Sequence, residues 1–199
     1  PLATGMLPIC FGEATKFSQF LLNADKRYLV RARLGVATET GDADGEVIAE
    51  KPVDVTEAQV AEALEGFKGD IEQIPSMYSA IKHNGEPLYK LARRGITVER
   101  EPRPVTLHEL ELIALDGDEI EIEVACSKGT YVRTLIEDLG NQLGCGAHVT
   151  GLRRLSAGPY PAERMVTLEE LGEIKAEHGF PGTDEKLLPL DTAVADWPR

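Results

Sequence analysis

The sequence predicts an α+β fold, with largely antiparallel strands and helices set between them. Three observations point there. Residues 119–126 (EIEIEVAC) alternate strictly, placing Ile120, Ile122 and Val124 on one face of a half-buried strand. Val132, Leu135, Ile136, Leu139 and Leu143 recur at helical spacing just behind it. Thr56-x-x-Gln59 and Thr167-x-x-Glu170 are capping-box signatures that open two more helices. Helices and antiparallel strands mixed in this way make the α+β class.

Taken in order, Glu13 to Leu22 reads as a helix, with Phe17, Phe20 and Leu21 at helical spacing. Arg27 to Val36 is β-rich and alternating, a strand. Residues 38–46, dense in Gly and Asp, form a turn or loop. Behind Thr56, a helix with Val60, Leu64 and Phe67 on one face is expected to end near Gly69. Asn84-Gly85 is a turn signal, and Leu88 to Arg94 a short basic helix stopped by Gly95. Pro102 and Pro104 bracket the start of a strand near 105–114, and Asp116-Gly117-Asp118 turns the chain into the alternating strand. Gly129 then turns it again, with Thr130 placed to cap the following helix, which Gly144-Cys145-Gly146 ends. Val149 to Leu155 returns as a strand, Thr167 caps a last helix, and residues 176–186 read as a loose loop.

The 199 residues suffice for one domain with a real core. Apolar residues make up 42% and charged residues 28%, and no run of eighteen apolar residues exists. The chain opens on Pro1 rather than Met and shows no secretory signal. The three cysteines form no Cys-x-x-Cys pair and the four histidines are scattered, so a structural metal site lacks its ligand spacing. Unpaired thiols suit a reducing cytoplasm, with each cysteine read as a small buried apolar residue. No phosphate loop, dinucleotide-binding glycine pattern or Gly-x-Ser-x-Gly is present, and nothing calls for a cofactor.

The net charge of −13 argues on its face against nucleic acid. Its distribution matters more than its sum. Residues 37–75 hold eleven acids against two lysines, and residues 109–123 hold seven acids and no base. Residues 82–103 reverse the sign, with Lys82, Lys90, Arg93, Arg94, Arg100 and Arg103 against three glutamates. Arg153-Arg154 is a second basic knot. Uneven solvated charge is the bland alternative.

Four stretches could carry chemistry. Pro1-Leu2-Ala3-Thr4-Gly5 bends tightly and lets backbone approach a ligand, although, taken alone, a structural turn is the better reading. In Cys126-Ser127-Lys128-Gly129-Thr130-Tyr131-Val132-Arg133 a strand ends, a glycine turns and a helix begins. The free N–H groups of a first helical turn, with Lys128 and Arg133 beside them, suit an anion such as a phosphate or a catalytic carboxylate. Arg133 could hold a carboxylate ionised and aimed, and Tyr131 offers a flat face and a hydroxyl; both could equally lie on a helix surface. His148, in the Gly-rich run before Arg153, is a candidate base but fits a structural role better. Tyr28 could stack on a base, worth about 1–3 kcal/mol, or be an ordinary strand aromatic.

These stretches, in this order, resemble the tRNA pseudouridine(55) synthase family of the bacterial TruB type. The matching segments are PLATGMLPICFGEATKFSQFLL, DKRYLVRARLG, SMYSAIKHNGEPLYKLARRG, CSKGTYVRTLIEDLG and GCGAHVTGLRRL. The resemblance implies the pseudouridine-synthase fold and isomerisation of one uridine in the TΨC loop of tRNA. The base is flipped out, detached from C1′, turned and rejoined through C5, with no cofactor or metal. It implies that the nucleophilic aspartate would immediately precede Pro1, so that the 199 residues alone are expected to be inactive. Arg133 matches the arginine that salt-bridges that aspartate. Tyr28 matches the tyrosine packed on the target uracil, Tyr131 a second pocket aromatic, and Leu152 an apolar wall. Lys128 and Gly129 belong to the same substrate-binding motif. Tyr28, Tyr131, Arg133 and Leu152 are expected to converge on the start of the chain.

Residues 76–103 match an inserted thumb that grips the T-arm stem-loop, which gives Lys82, Lys90, Arg93 and Arg94 a role on RNA phosphates; Arg153 and Arg154, by their chemistry, also fit RNA phosphates better than an interior. A C-terminal PUA module is expected to follow. The implied protein is a cytoplasmic monomer without membrane contact. A tRNA-binding or tRNA-folding module without catalysis is the alternative.

Overall fold

A computed structural model describes residues 2–194; expectations attached to Pro1 and to residues 195–199 lie outside the described residues. In chain order the elements are β1 (Ala3–Gly5), a 3-10 helix (Gly12–Phe17) running into α1 (Ser18–Asn23), β2 (Lys26–Leu34), β3 (Val36–Thr38), β4 (Val47–Glu50), α2 (Glu57–Glu65) and β5 (Gly69–Gln73). There follow β6 (Lys82–His83), β7 (Glu86–Pro87), α3 (Leu88–Ala92), β8 (Arg103–Asp116), β9 (Glu119–Cys126), α4 (Val132–Gln142), β10 (Ala147–Ala157), β11 (Tyr160–Pro161) and α5 (Leu168–Asp184).

The main sheet runs β1-β10-β2-β9-β8-β5, with β11 also paired to β10. Among the strand pairs of this sheet in the described residues, only β1–β10 is parallel. This is the mixed, largely antiparallel sheet of the predicted class. Because side chains alternate along a strand, one face buries Val30, Ala32, Leu34, Ile120, Ile122 and Val124 against Leu135, Ile136 and Leu139 of α4 and Val60 and Leu64 of α2. Each fully buried Leu or Ile stabilises by roughly 1.5–3 kcal/mol. The other face explains the acidic run at 109–123. Arg27 pairs with both Glu109 on β8 and Glu123 on β9, and Arg31 with Glu121 on β9, each at 2.6–2.7 Å.

Helix α4 lies unusually close to β10. A Cβ on Gly140 would stand 2.3 Å from Ala147 N, so only glycine fits that crossing. Both capping boxes are formed, at Thr56 and Thr167. His148 is buried, and its Nδ1 meets the Val36 carbonyl at 2.8 Å, a structural role.

Several expectations are corrected. The first helix begins as a 3-10 turn, and α2 stops at Glu65 because β5 starts at Gly69. Tyr131, not Thr130, is the N-cap of α4, while the Thr130 hydroxyl donates to Ser127 O. Residues 176–184 are helical: α5 breaks at Gly179 (φ 66°, ψ −161°) and resumes through Pro181. Cys126 and Cys145 are buried, but Cys10 is only half-buried.

Candidate active site

The end of β10 nearest β1 organises the first half of the site. Ala3 pairs with Leu152 and Gly5 with Arg154; across β10, Leu152 pairs with Val30 and Arg154 with Tyr28. Leu2, Tyr28 and Leu152 all pack against the main core cluster. The chain start, Tyr28 and Leu152 are therefore gathered on adjacent strands. Gly5 makes this approach possible. Its φ is +94°, and a Cβ there would lie 2.2 Å from Arg154 O.

Arg154 sits inside this corner rather than on an open surface. Its Nε donates to Met6 O, and it stands opposite Tyr28 across the two strands, its positive charge beside the Tyr28 hydroxyl. Burial raises the Tyr28 hydroxyl pKa above the usual tyrosine value, with Arg154 opposing the shift. Arg153 alternates to the other side and is exposed. Lys26, two residues before Tyr28, donates to Leu22 O at 2.8 Å and Ala24 O at 2.5 Å. Its pKa is lowered by burial first, then by the neighbouring charge of Arg154 and, more weakly, Lys128. Lys26, Lys128 and Arg154 thus make a positive corner, suited to a phosphate. In the sequence Lys26 is one of several cations around β2, with Arg27, Arg31 and Arg33, and only the fold sets it apart. Lys128 itself donates to Asn23 Oδ1 at 3.1 Å, and Gly129, with φ +82°, turns the chain in open space beside it.

The second half of the site is built on Arg133, in the first turn of α4. Its Nη1 donates to Asp42 Oδ2 at 2.8 Å and to Thr40 O at 3.0 Å, while Nη2 donates to Tyr78 O at 2.8 Å. Asp42 is buried and fully engaged. Its Oδ1 accepts from the Thr40 hydroxyl at 2.5 Å and from Asp44 N at 3.2 Å, the local turn that aspartate favours. The Asp42 stretch bridges to Val149 on β10, three residues before Leu152. Both halves of the site therefore rest on one strand. Asp42 was missed from the sequence because it sits among four other acids between residues 39 and 50.

Tyr131 is held through its main chain. Its N–H donates to Gln73 Oε1 at 3.0 Å, and its carbonyl accepts from Gln73 Nε2 at 3.3 Å. Beyond Gln73 the chain leaves the sheet. Residues 76–103 form a small unit with its own core of Met77, Leu88 and Leu91, backed by Tyr78, Ile81 and Val98. Lys82, Lys90, Arg93 and Arg94 are exposed on it. Arg93 lies over the Tyr89 ring at 5.5 Å, and Arg94 pairs with Glu86 at 2.6 Å.

A cavity of about 780 Å³ opens between this unit and α4, lined in part by Glu39, Glu72, Glu137 and Asp138 with Arg100. So acidic a lining repels phosphate, which sets it apart from the positive corner at Tyr28. Burial raises the carboxyl pKa of Glu137, helped by Asp138 and opposed by Arg133; burial alone raises that of Asp138.

This mixed, largely antiparallel sheet with helices packed on it is the fold of the pseudouridine synthases. Solved structures bear this out: the chain is similar to a Cbf5-Nop10-Gar1 complex (TM-score 0.74, 26% identity, covering 96% of this chain and 50% of that one). It is likewise similar to an H/ACA RNP bound to a substrate RNA containing 2′-deoxyuridine (TM-score 0.70, 25% identity, 96% and 48%). Within that class, this chain belongs to the TruB family of pseudouridylate synthases. The family's N-terminal domain matches residues 1–132, and the tRNA pseudouridylate synthase B C-terminal domain matches residues 133–195. The two matches meet inside the first turn of α4, while the sheet runs through both.

Among relatives, the tRNA pseudouridine synthase B of Tolumonas auensis is 60% identical over the whole chain, which covers 63% of that protein. Those of Shewanella sp. (strain ANA-3) and Salmonella typhimurium are each 59% identical, with 65% covered. The chain thus spans just under two thirds of the length of these relatives.

Proposed function

We propose that the protein to which these residues belong isomerises a uridine in the TΨC loop of tRNA to pseudouridine, acting as a monomer on the T-arm stem-loop. The observation that carries this reading is the strand register at β10. It sets the start of the chain against Leu152 and Arg154, with Tyr28 one strand further on. A carboxylate immediately preceding Pro1 would enter the site along this edge.

In this reading the carboxylate attacks the flipped uridine at C1′ or C6, dividing a difficult C–N cleavage into two easier steps. Arg133, pinned by Asp42 and Thr40, keeps it ionised and aimed. Tyr28 and Tyr131 hold the uracil ring while it turns, and Leu152 excludes water that would capture the intermediate. Lys26, Lys128 and Arg154 draw the backbone phosphates to the corner, as do the exposed cations of residues 76–103. Tyr28 also serves the proton released from C5.

The test is conversion of a bare T-arm stem-loop by the full-length protein, compared with the 199-residue chain alone. Pseudouridine from the former and none from the latter is expected. Binding without conversion by the full-length protein would instead mark a tRNA-binding or tRNA-folding module. Tyr28→Phe keeps the ring and removes the hydroxyl, so full activity in that variant ends the proton role.

A further inference from the structure

Gln73 stands apart among the buried polar residues. It is only 1% exposed, and its side-chain amide makes both of its bonds to one residue, the N–H and the carbonyl of Tyr131. An amide paired in this way copies a rung of a β-ladder. It also fills a specific need. A helix begins with backbone N–H groups that have no partner within the helix, and α4 has no side chain of its own capping it. Gln73 supplies that cap from another strand, holding the residue that opens α4.

Its position in the chain adds a second point. Gln73 is the last residue of β5 and pairs with Arg103, the first residue of β8. The two stalks of the inserted unit therefore meet at Gln73. Five residues further on, Tyr78 O accepts from Arg133. The base of the insertion is thus tied twice to the first turn of α4, once at Tyr131 and once at Arg133.

We propose that Gln73 is a positioning residue: it fixes the main chain of Tyr131, and through it the aromatic wall and Arg133, in register with the insertion. The proposal rests on the functional reading above. Misplacing a substrate-holding group by about 1 Å costs up to about 100-fold in rate, whereas general loosening of a buried site lowers stability, affinity and rate together.

The test uses the full-length protein carrying Gln73→Met, which keeps the length and removes both hydrogen bonds. Three readouts are taken: single-turnover pseudouridine formation at saturating T-arm RNA, RNA affinity, and amide hydrogen exchange of residues 128–135 against those of β9. The expected result is a roughly 10- to 100-fold slower turnover with RNA affinity within about threefold. Exchange should be faster by about tenfold or more at 128–135, and unchanged in β9. Should Gln73→Met lose its cooperative melting transition, Gln73→Glu carries the test. Its carboxylate keeps the bond from Tyr131 N–H and loses the donor to Tyr131 O, so an intermediate rate is expected. A rate within twofold of the wild type overturns the proposal, as does a parallel loss of rate, affinity and melting temperature in both variants. Absence of pseudouridine from the wild-type protein would sink the functional reading instead, and the exchange arm would still decide whether Gln73 holds Tyr131.

Discussion

Arg133 and Asp42 form an ion pair at 2.8 Å, with their side chains 24% and 12% exposed, and the same guanidinium donates to Tyr78 O on the inserted unit. One cation thus joins the loop at 40–42, the first turn of α4 and the insertion. Removing one partner of such a pair leaves the other buried without compensation. Asp42→Ala is therefore expected to lower stability by about 2–3 kcal/mol, allowing for its partial exposure, and to lower pseudouridine formation with it. Urea unfolding checks the first part; an unchanged midpoint would mean that Arg133 is held without Asp42.

The α4–β10 crossing gives a sharper packing prediction. Gly140→Ala inserts a methyl 2.3 Å from Ala147 N and 2.4 Å from Gly146 C, backbone atoms that cannot rotate away. Helix and strand must separate, at a cost of about 1–3 kcal/mol. A melting temperature equal to that of the wild type would contradict the crossing distance.

Glu137 predicts a pH effect at the acid end. Its pKa is raised chiefly by burial, so folding favours the protonated form. The sign follows from linkage: as pH rises from the ordinary carboxylate value of 4.5 through the raised folded value, the unfolded state gives up its proton first and stability falls. Glu137→Gln removes a group that folds unwillingly as an anion. The variant should be the more stable protein at pH 7, with the difference shrinking toward pH 4. Denaturant midpoints at the two values test it, and an equal gap at both would defeat the prediction.

Cys126 acts at the alkaline end. Burial raises its thiol pKa from 9.0 to about 11. Between those values the unfolded chain ionises and the folded one does not, so stability drains away as pH rises through that window. The whole effect is about 2–3 kcal/mol, from about 1.4 kcal/mol per pKa unit. Cys126→Ala should show a shallower decline from pH 8.5 to 11; parallel curves for the two proteins would argue against a buried thiol.

The parts of this fold visible in the sequence are those with a strong local period. EIEIEVAC could only be a half-buried strand, and the stripe from Val132 to Leu143 only a helix on a core. Strand β5 escaped because GDIEQ offers one apolar side chain, and its place in the sheet comes from pairing with β8. The second half of α5 escaped because Gly179 and Pro181 read as breakers; the helix does break at Gly179, but it resumes through Pro181. In the site, Arg133, Tyr28 and Tyr131 were picked out by chemistry and motif. Asp42 and Gln73 were not, since a carboxylate among acids and a glutamine in a polar strand signal nothing until the fold brings Arg133 and Tyr131 beside them.

The most direct measurement of the central claim is the pseudouridine content of a T-arm stem-loop after incubation with the full-length protein, wild type or Arg133→Ala. Conversion of a single uridine by the wild type is expected, with a loss of at least about 100-fold in the variant while RNA binding persists. An Arg133→Ala protein that folds, binds the RNA and converts it at the wild-type rate would contradict the account.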